Sequence, residues 1–158
     1  MKKIFLTAAA VFAFSFANAQ DGSFKLGAHL GLPTGDIQDF TSVNLGVDVA
    51  YVWNVADSFD AGITTGYTSY LGKDGADATG FIPVAATGQY AIADNLFLGA
   101  DLGYAIYAGS EDGGEGGFLY QPKFGYKADK LELYLGYKGI SVDGGTFSSV
   151  NIGVNYKL

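Results

Sequence analysis

A chain of 158 residues with 16 acidic side chains, 9 basic ones and no cysteine suits one domain, and it is too acidic to favour nucleic acid, whose affinity comes mainly from basic contacts to phosphate. The missing cysteine excludes disulfides, thiolate metal sites and a lipid anchor on a cleavage-site cysteine. Twenty-four glycines and 15% aromatic residues in a chain of few charges also exclude disorder, which goes with few aromatics and low hydrophobicity.

The first element is a secretory signal. Lys2 and Lys3 precede an apolar run from Ile4 to Phe16, and the small residues Ala17-Asn18-Ala19 follow. The run is shorter than the roughly 20 apolar residues that span a bilayer, so it reads as a cleaved signal peptide (1–19) for Sec-dependent export. The mature domain is then 20–158. Losing Lys2 and Lys3 leaves 7 lysines and no arginine, for a formal charge of −9.

Beyond it the apolar pattern has period two. From Ser42 to Trp53, Val43, Leu45, Val47, Val49, Tyr51 and Trp53 share one face, opposite Ser42, Asn44, Gly46, Asp48 and Ala50. The same alternation runs through Leu131 to Lys138 and Val150 to Leu158, and no helical period follows the signal. The template predicts strands at 23–32, 42–53, 59–70, 81–92, 96–108, 118–127, 131–140 and 147–158. Pro83 makes the fourth of these the weakest, because proline cannot donate to a ladder.

The connections are of two kinds. Ala56-Asp57-Ser58, Ala93-Asp94-Asn95 and Ala128-Asp129-Lys130 are short and recur about every 35 residues, the length of a hairpin with its loop. Pro33–Thr41, Leu71–Gly80, Gly109–Gly117 and Ser141–Thr146 are longer, acidic and glycine-rich. Short turns at one end and longer loops at the other are the asymmetry of outer-membrane barrels, periplasmic against extracellular. The expected fold is all-β: an eight-stranded antiparallel up-and-down transmembrane β-barrel.

Alternation alone does not say which face points inward, since a soluble lipocalin-like barrel binding an apolar ligand has the same period in the opposite sense. The polar face decides. It carries Gly27, Gly31, Gly46, Gly62, Gly66, Gly99, Gly103, Gly125, Gly136 and Gly153, and glycine suits a narrow lumen crowded by side chains better than a water-exposed sheet. On the apolar face, Trp53, Phe59, Tyr67, Phe81, Phe118, Tyr126, Tyr137 and Tyr156 fall toward strand ends, as aromatic girdles do.

The signal peptide, the Ala-Asp turns, the pairs Gly66-Tyr67, Gly103-Tyr104, Gly125-Tyr126 and Gly136-Tyr137, and the alternating end Val150 to Leu158 resemble the small outer-membrane β-barrel families. These are the OmpX-like proteins, the OmpA transmembrane domain and the outer membrane protein beta-barrel domain chains of Bacteroidota. The resemblance covers the mature chain. It implies a Gram-negative outer-membrane location, contact with outer-membrane lipid, and recognition by the barrel-assembly machinery through the last strand. In the family that strand ends in an aromatic; this chain resembles it at Tyr156 but ends in Leu158. No peptidoglycan-binding domain is expected.

Alternation places Lys25, His29, Asp48, Asp60, Asp101, Lys123, Glu132 and Lys138 in the lumen, with Asn151 and Asn155. Buried charges must pair, so these residues are expected to form a structural polar network that plugs the pore; a narrow, porin-like ion path is the other reading. Asp101 and Lys123, near mid-strand on adjacent strands, are expected to meet. His29 is the only histidine and so the only general base of the usual kind. Lipid-modifying enzymes among these barrels imply a histidine facing lipid beside a serine, and alternation puts His29 in the lumen instead. No catalytic residue, cofactor or metal set is expected. Lys73-Asp74-Gly75-Ala76-Asp77 and Glu111-Asp112-Gly113-Gly114-Glu115 are acidic enough to suggest calcium, but neither has the full spacing of a calcium loop. The partner of the acidic loops is not legible.

Overall fold

The computed structural model describes residues 22–109 and 114–158. The expected signal peptide, and the Glu111-Asp112-Gly113 part of the second acidic segment, lie outside the described residues. Eight strands follow one another: β1 (Ser23–Thr34), β2 (Thr41–Ala56), β3 (Phe59–Gly72), β4 (Thr79–Ala91), β5 (Leu96–Tyr107), β6 (Gly117–Ala128), β7 (Leu131–Val142) and β8 (Gly145–Lys157). Each pairs antiparallel with the next, and β8 pairs with β1, so the sheet closes into a barrel with no free edge. One 3₁₀ turn, Gly35–Ile37, lies between β1 and β2.

Two of the three strand prolines, Pro83 and Pro122, interrupt the ladder on one side. Pro83 pairs with Ala105 of β5, but on the β3 side the pairing skips from Thr65↔Val84 to Thr68↔Phe81. Pro122 does the same between β6 and β7, where Tyr120↔Gly139 is followed by Lys123↔Gly136. A residue without an N–H can serve one neighbour and not the other, so β4 is a strand despite its proline.

Three of the sequence expectations are corrected. The connection around Ser141–Thr146 is no loop: β7 and β8 stay paired to Val142↔Gly145, and Asp143-Gly144 alone makes the turn, with Gly144 at φ 89°. Asp-Gly is a tight-hairpin signature, and its glycine supplies the positive φ. Ser42 was expected on the lumen face, but a register shift between Thr41 and Val43 turns Thr41 inward and leaves Ser42 outside, bonded to the Leu71 carbonyl at 3.2 Å. Phe81, expected in the lipid-facing girdle, is wholly buried inside the barrel. Trp53, from the same set, is only 8% exposed.

The two faces are sharply different. Leu30 is 61% exposed and Ile152 68%, whereas Lys138 and Glu132 are each 2% exposed. Lumen glycines are where large inward side chains lie: a Cβ on Gly153 would meet the Tyr134 ring at 2.2 Å, and one on Gly125 the Phe97 ring at 2.3 Å. Gly46 accommodates the His29 ring in the same way, at 2.6 Å.

Candidate functional site: the lumen

All eight lumen residues expected from alternation point into the barrel, and they form tiers along its axis. Nearest the short turns, Lys127 reaches Asp60 at 3.2 Å and Glu132 at 3.7 Å, while Asn54 donates to Asp60 at 3.1 Å. One step inward Lys25 donates to Glu132 at 2.6 Å and to Gln89 at 2.8 Å. Gln89 and Asn155 complete the shell of that carboxylate, each at 3.3 Å. Side chains from four strands, β1, β4, β6 and β8, thus converge on Glu132 of β7.

At mid-barrel Lys123 is held by both oxygens of Asp101, at 2.7 and 2.9 Å, and its ammonium also sits 5.5 Å from the centre of the Tyr134 ring. Above it lies a three-residue relay. The Lys138 ammonium, which can only donate, bonds to His29 Nε2 at 2.9 Å. That makes Nε2 an acceptor and leaves the ring proton on Nδ1, which donates to Asp48 at 2.6 Å. Thr68 Oγ1 lies 3.1 Å from Nε2 and accepts from Asn44 Nδ2 at 2.9 Å.

Charge balances across these tiers. Lys25, Lys123, Lys127 and Lys138 face Glu132, Asp101, Asp60 and Asp48, with His29 neutral. Desolvating an ion in low dielectric is costly unless a partner offsets it, and a one-to-one complement is how a narrow lumen tolerates such groups. Lys127 was missed from the sequence because it closes the predicted sixth strand, although it shares the parity of Lys123 and Gly125. Gln89, Asn44 and Thr68 were missed because neutral polar residues carry no signal beyond that parity.

The loop end of the lumen is built differently. Tyr70, Phe81, Ala85, Ala105, Leu119 and Ile140 form a buried apolar cluster, and Ile37, Tyr107, Val142 and Phe147 pack against it. Rings from β3, β4, β5 and β8 interlock edge to face: Phe81–Phe147 centroids are 5.1 Å apart, Tyr70–Phe147 5.4 Å and Phe81–Tyr107 5.9 Å. The β1–β2 loop lies over this cap with Ile37 in contact with it, and Lys73 from the next loop pins it by donating to the Gln38 carbonyl at 2.7 Å. Nothing in the sequence pattern announced this aromatic cap.

Among the described residues no group of three or more His, Asp or Glu is placed to hold a metal. Among the described residues the lumen holds a cavity of about 30 Å³ at mid-barrel and one of about 90 Å³ at the short-turn mouth.

No family profile and no curated protein matches the sequence. Solved structures do. The Yersinia pestis attachment invasion locus protein, Ail, superposes with a TM-score of 0.61 at 13% identity, over 87% of this chain and 97% of that one. A de novo designed transmembrane β-barrel gives 0.55 at 14% over 86% and 95%, and the N-terminal barrel domain of Pseudomonas aeruginosa OprF gives 0.54 at 12% over 86% and 97%. A further Ail structure, at TM-score 0.54, holds the heparin analogue sucrose octasulfate. At these identities the likeness is one of fold: the chain folds as a closed, eight-stranded, antiparallel transmembrane β-barrel.

Proposed function

We propose that this protein is an integral outer-membrane barrel with a closed lumen and a structural role in the membrane. One observation carries the reading. No outward-pointing residue of the eight strands is charged, whereas Lys25, His29, Asp48, Asp60, Asp101, Lys123, Lys127, Glu132 and Lys138 all point inward. The outward positions are Leu, Val, Ile, Phe and Tyr with a few small residues, many of them 40–68% exposed. Soluble monomers rarely show contiguous apolar patches above a few hundred Å², and a barrel belted this way has hydrocarbon as its natural solvent. Strands of 12 to 16 residues exceed the roughly 9–11 that a tilted strand needs to cross.

The two alternatives fare worse. A lipocalin-like binder needs an apolar cavity of about 300–1,000 Å³, and the interior cavities here are small and lined by ions. A lipid-modifying barrel needs its histidine at the lipid face, and His29 is 4% exposed between Asp48, Thr68 and Lys138.

Finer parts of the proposal rest on the same frame. The short turns face the periplasm and the acidic loops the exterior, after export under the signal peptide. The alternating β8, with Tyr156 exposed near its end, is the strand offered to the assembly machinery. The resemblance to Bacteroidota barrels belongs to this reading too. A sulfated ligand like that of Ail is disfavoured, because the loop rim presents Asp36, Asp39, Asp74 and Asp77 against Lys73 alone. Fractionation tests the whole: the protein is expected in the detergent-extracted outer membrane, and recovery from the periplasm without detergent would end the reading. Val47→Arg, near the middle of the outer belt, is expected to cost about 2–4 kcal/mol in vesicles. Ala50→Ser, inside the barrel, is the tolerated control.

A further inference from the structure

We infer that the mid-barrel cavity is a water site, and that its water gives the buried Asp48–His29–Lys138 relay proton access from the short-turn mouth only. The cavity's volume is about 30 Å³, and about 10–15 Å³ suffices for one water, so it has room for about two. Its walls include Asp48, Asp101, Lys123, Lys25, Thr87 and Gln121. Gln121 is 4% exposed, and its Nε2, with the Tyr134 side chain beside it, has no hydrogen-bond partner within 3.5 Å among the described residues. A buried amide donor aimed into a polar cavity needs an acceptor, since leaving it bare is costly.

The identity of the ligand follows from size and charge. Two lysines and two aspartates line the space, and each lysine is bonded to a carboxylate, so an added ion of either sign would be uncompensated. An organic ligand does not fit. Water does, because it accepts from Gln121 and donates to a carboxylate.

The direction of access follows from topology. Lys25 and Val52 line both this cavity and the 90 Å³ cavity at the short-turn mouth, where Asn54, Asp129 and Lys157 are exposed, so one shared wall separates mid-barrel water from bulk. Toward the loops the relay is followed by Asn44, Ser149 and then the ring cap, in which Tyr70 and Phe81 are wholly buried. His29 is touched by Asp48 of β2 and Lys138 of β7, and Lys123 of β6 with its partner Asp101 of β5 stands nearby. Exchange there balances without net charge. As the Nδ1 proton passes to Asp48, Lys138 passes one to Nε2, so the ring stays neutral; the protonated Asp48 then swaps its proton with the water, and the same transfers run back.

The inference depends on the membrane reading only for calling the mouth periplasmic, and a measurement in detergent micelles stands whether or not that reading does. Because His29 is the only histidine, ¹⁵N-histidine labelling gives one ring signal. Its Nδ1–H exchange with water is expected to slow at least tenfold in Gln121→Leu and in Thr87→Val, each of which removes one of the neutral polar groups that hold water in the cavity. It is expected to stay unchanged in Phe81→Ala, which loosens the cap. Exchange that is indifferent to the cavity variants, or faster in Phe81→Ala, overturns the inference. In the unmodified protein the Gln121 side-chain amide should show a cross-peak to bound water, and a dry amide would overturn it without any variant.

Discussion

The lumen of one barrel is closed twice, by different physics at its two ends. From the short turns to mid-barrel, closure consists of ion pairs and amides, with Lys25, Lys123 and Lys127 each meeting a carboxylate at 2.6–3.2 Å. At the loop end it consists of interlocked rings and aliphatic side chains with hardly a charge in reach. The ionic half depends on every partner being present, because a charge whose counterpart is removed is left in low dielectric. The apolar half depends only on filled volume, so swaps that conserve it should pass. The same backbone scaffold therefore carries one region intolerant of single substitutions and another tolerant of many.

The largest expected effect breaks the ionic half at its best-shielded pair. Glu132→Gln strands Lys25 and should lower stability by about 3–5 kcal/mol in urea titrations of the refolded barrel, while Lys25→Met with Glu132→Met should cost less than Glu132→Gln alone. A double variant no better than the single would mean that packing, not charge, holds this tier. Next comes the cap. Phe81→Ala should cost about 3 kcal/mol, toward the lower end for such truncations because Tyr70, Tyr107 and Phe147 can close in. That loss should be the same at low salt and at 1 M KCl, and a salt-dependent loss would deny the cap its apolar character.

The comparison is sharpened by a smaller effect at mid-barrel. Asp101→Asn and Lys123→Met should each destabilise, and their double-mutant cycle should give a coupling of about 1–2 kcal/mol; strict additivity would separate the two residues energetically despite their 2.7 Å contact. The smallest effect belongs to the mouth. Lys127 is 37% exposed, so Lys127→Met should change stability by less than about 1 kcal/mol. A loss as large as that of Glu132→Gln would show that the ionic half extends undiminished to the solvent.

The closed cap bears on conduction too. Side chains fill an eight-stranded lumen, and here they do so with two unlike seals in series. The short connections are consistent with a molecule whose surface lies mainly against lipid: Asp57-Ser58, Asp129-Lys130 and Asp143-Gly144 turn in two residues each.

Strand positions, their number and the inward placement of most charged strand residues were legible in the sequence, because period-two alternation separates ions from leucine and valine and the glycines on the polar face mark it as the lumen; Lys127, at the end of its strand, was missed. The diagonal meeting of Asp101 and Lys123 was legible as well, since a hairpin fixes the register of its own two strands. Phe81 was not. From Phe81 to Ala86 both parities are apolar, Phe81, Pro83 and Ala85 against Ile82, Val84 and Ala86, so alternation carries no sign there. The sign comes only from the neighbours across the barrel, where Tyr70, Phe147 and Ile140 leave an apolar space that Phe81 fills. Likewise Lys25 and Glu132 are 107 residues apart, and nothing local joins them. Pattern tells a strand which side is inside, but which inward residues share a level depends on the stagger of strands as the sheet closes, and that is a property of the whole barrel.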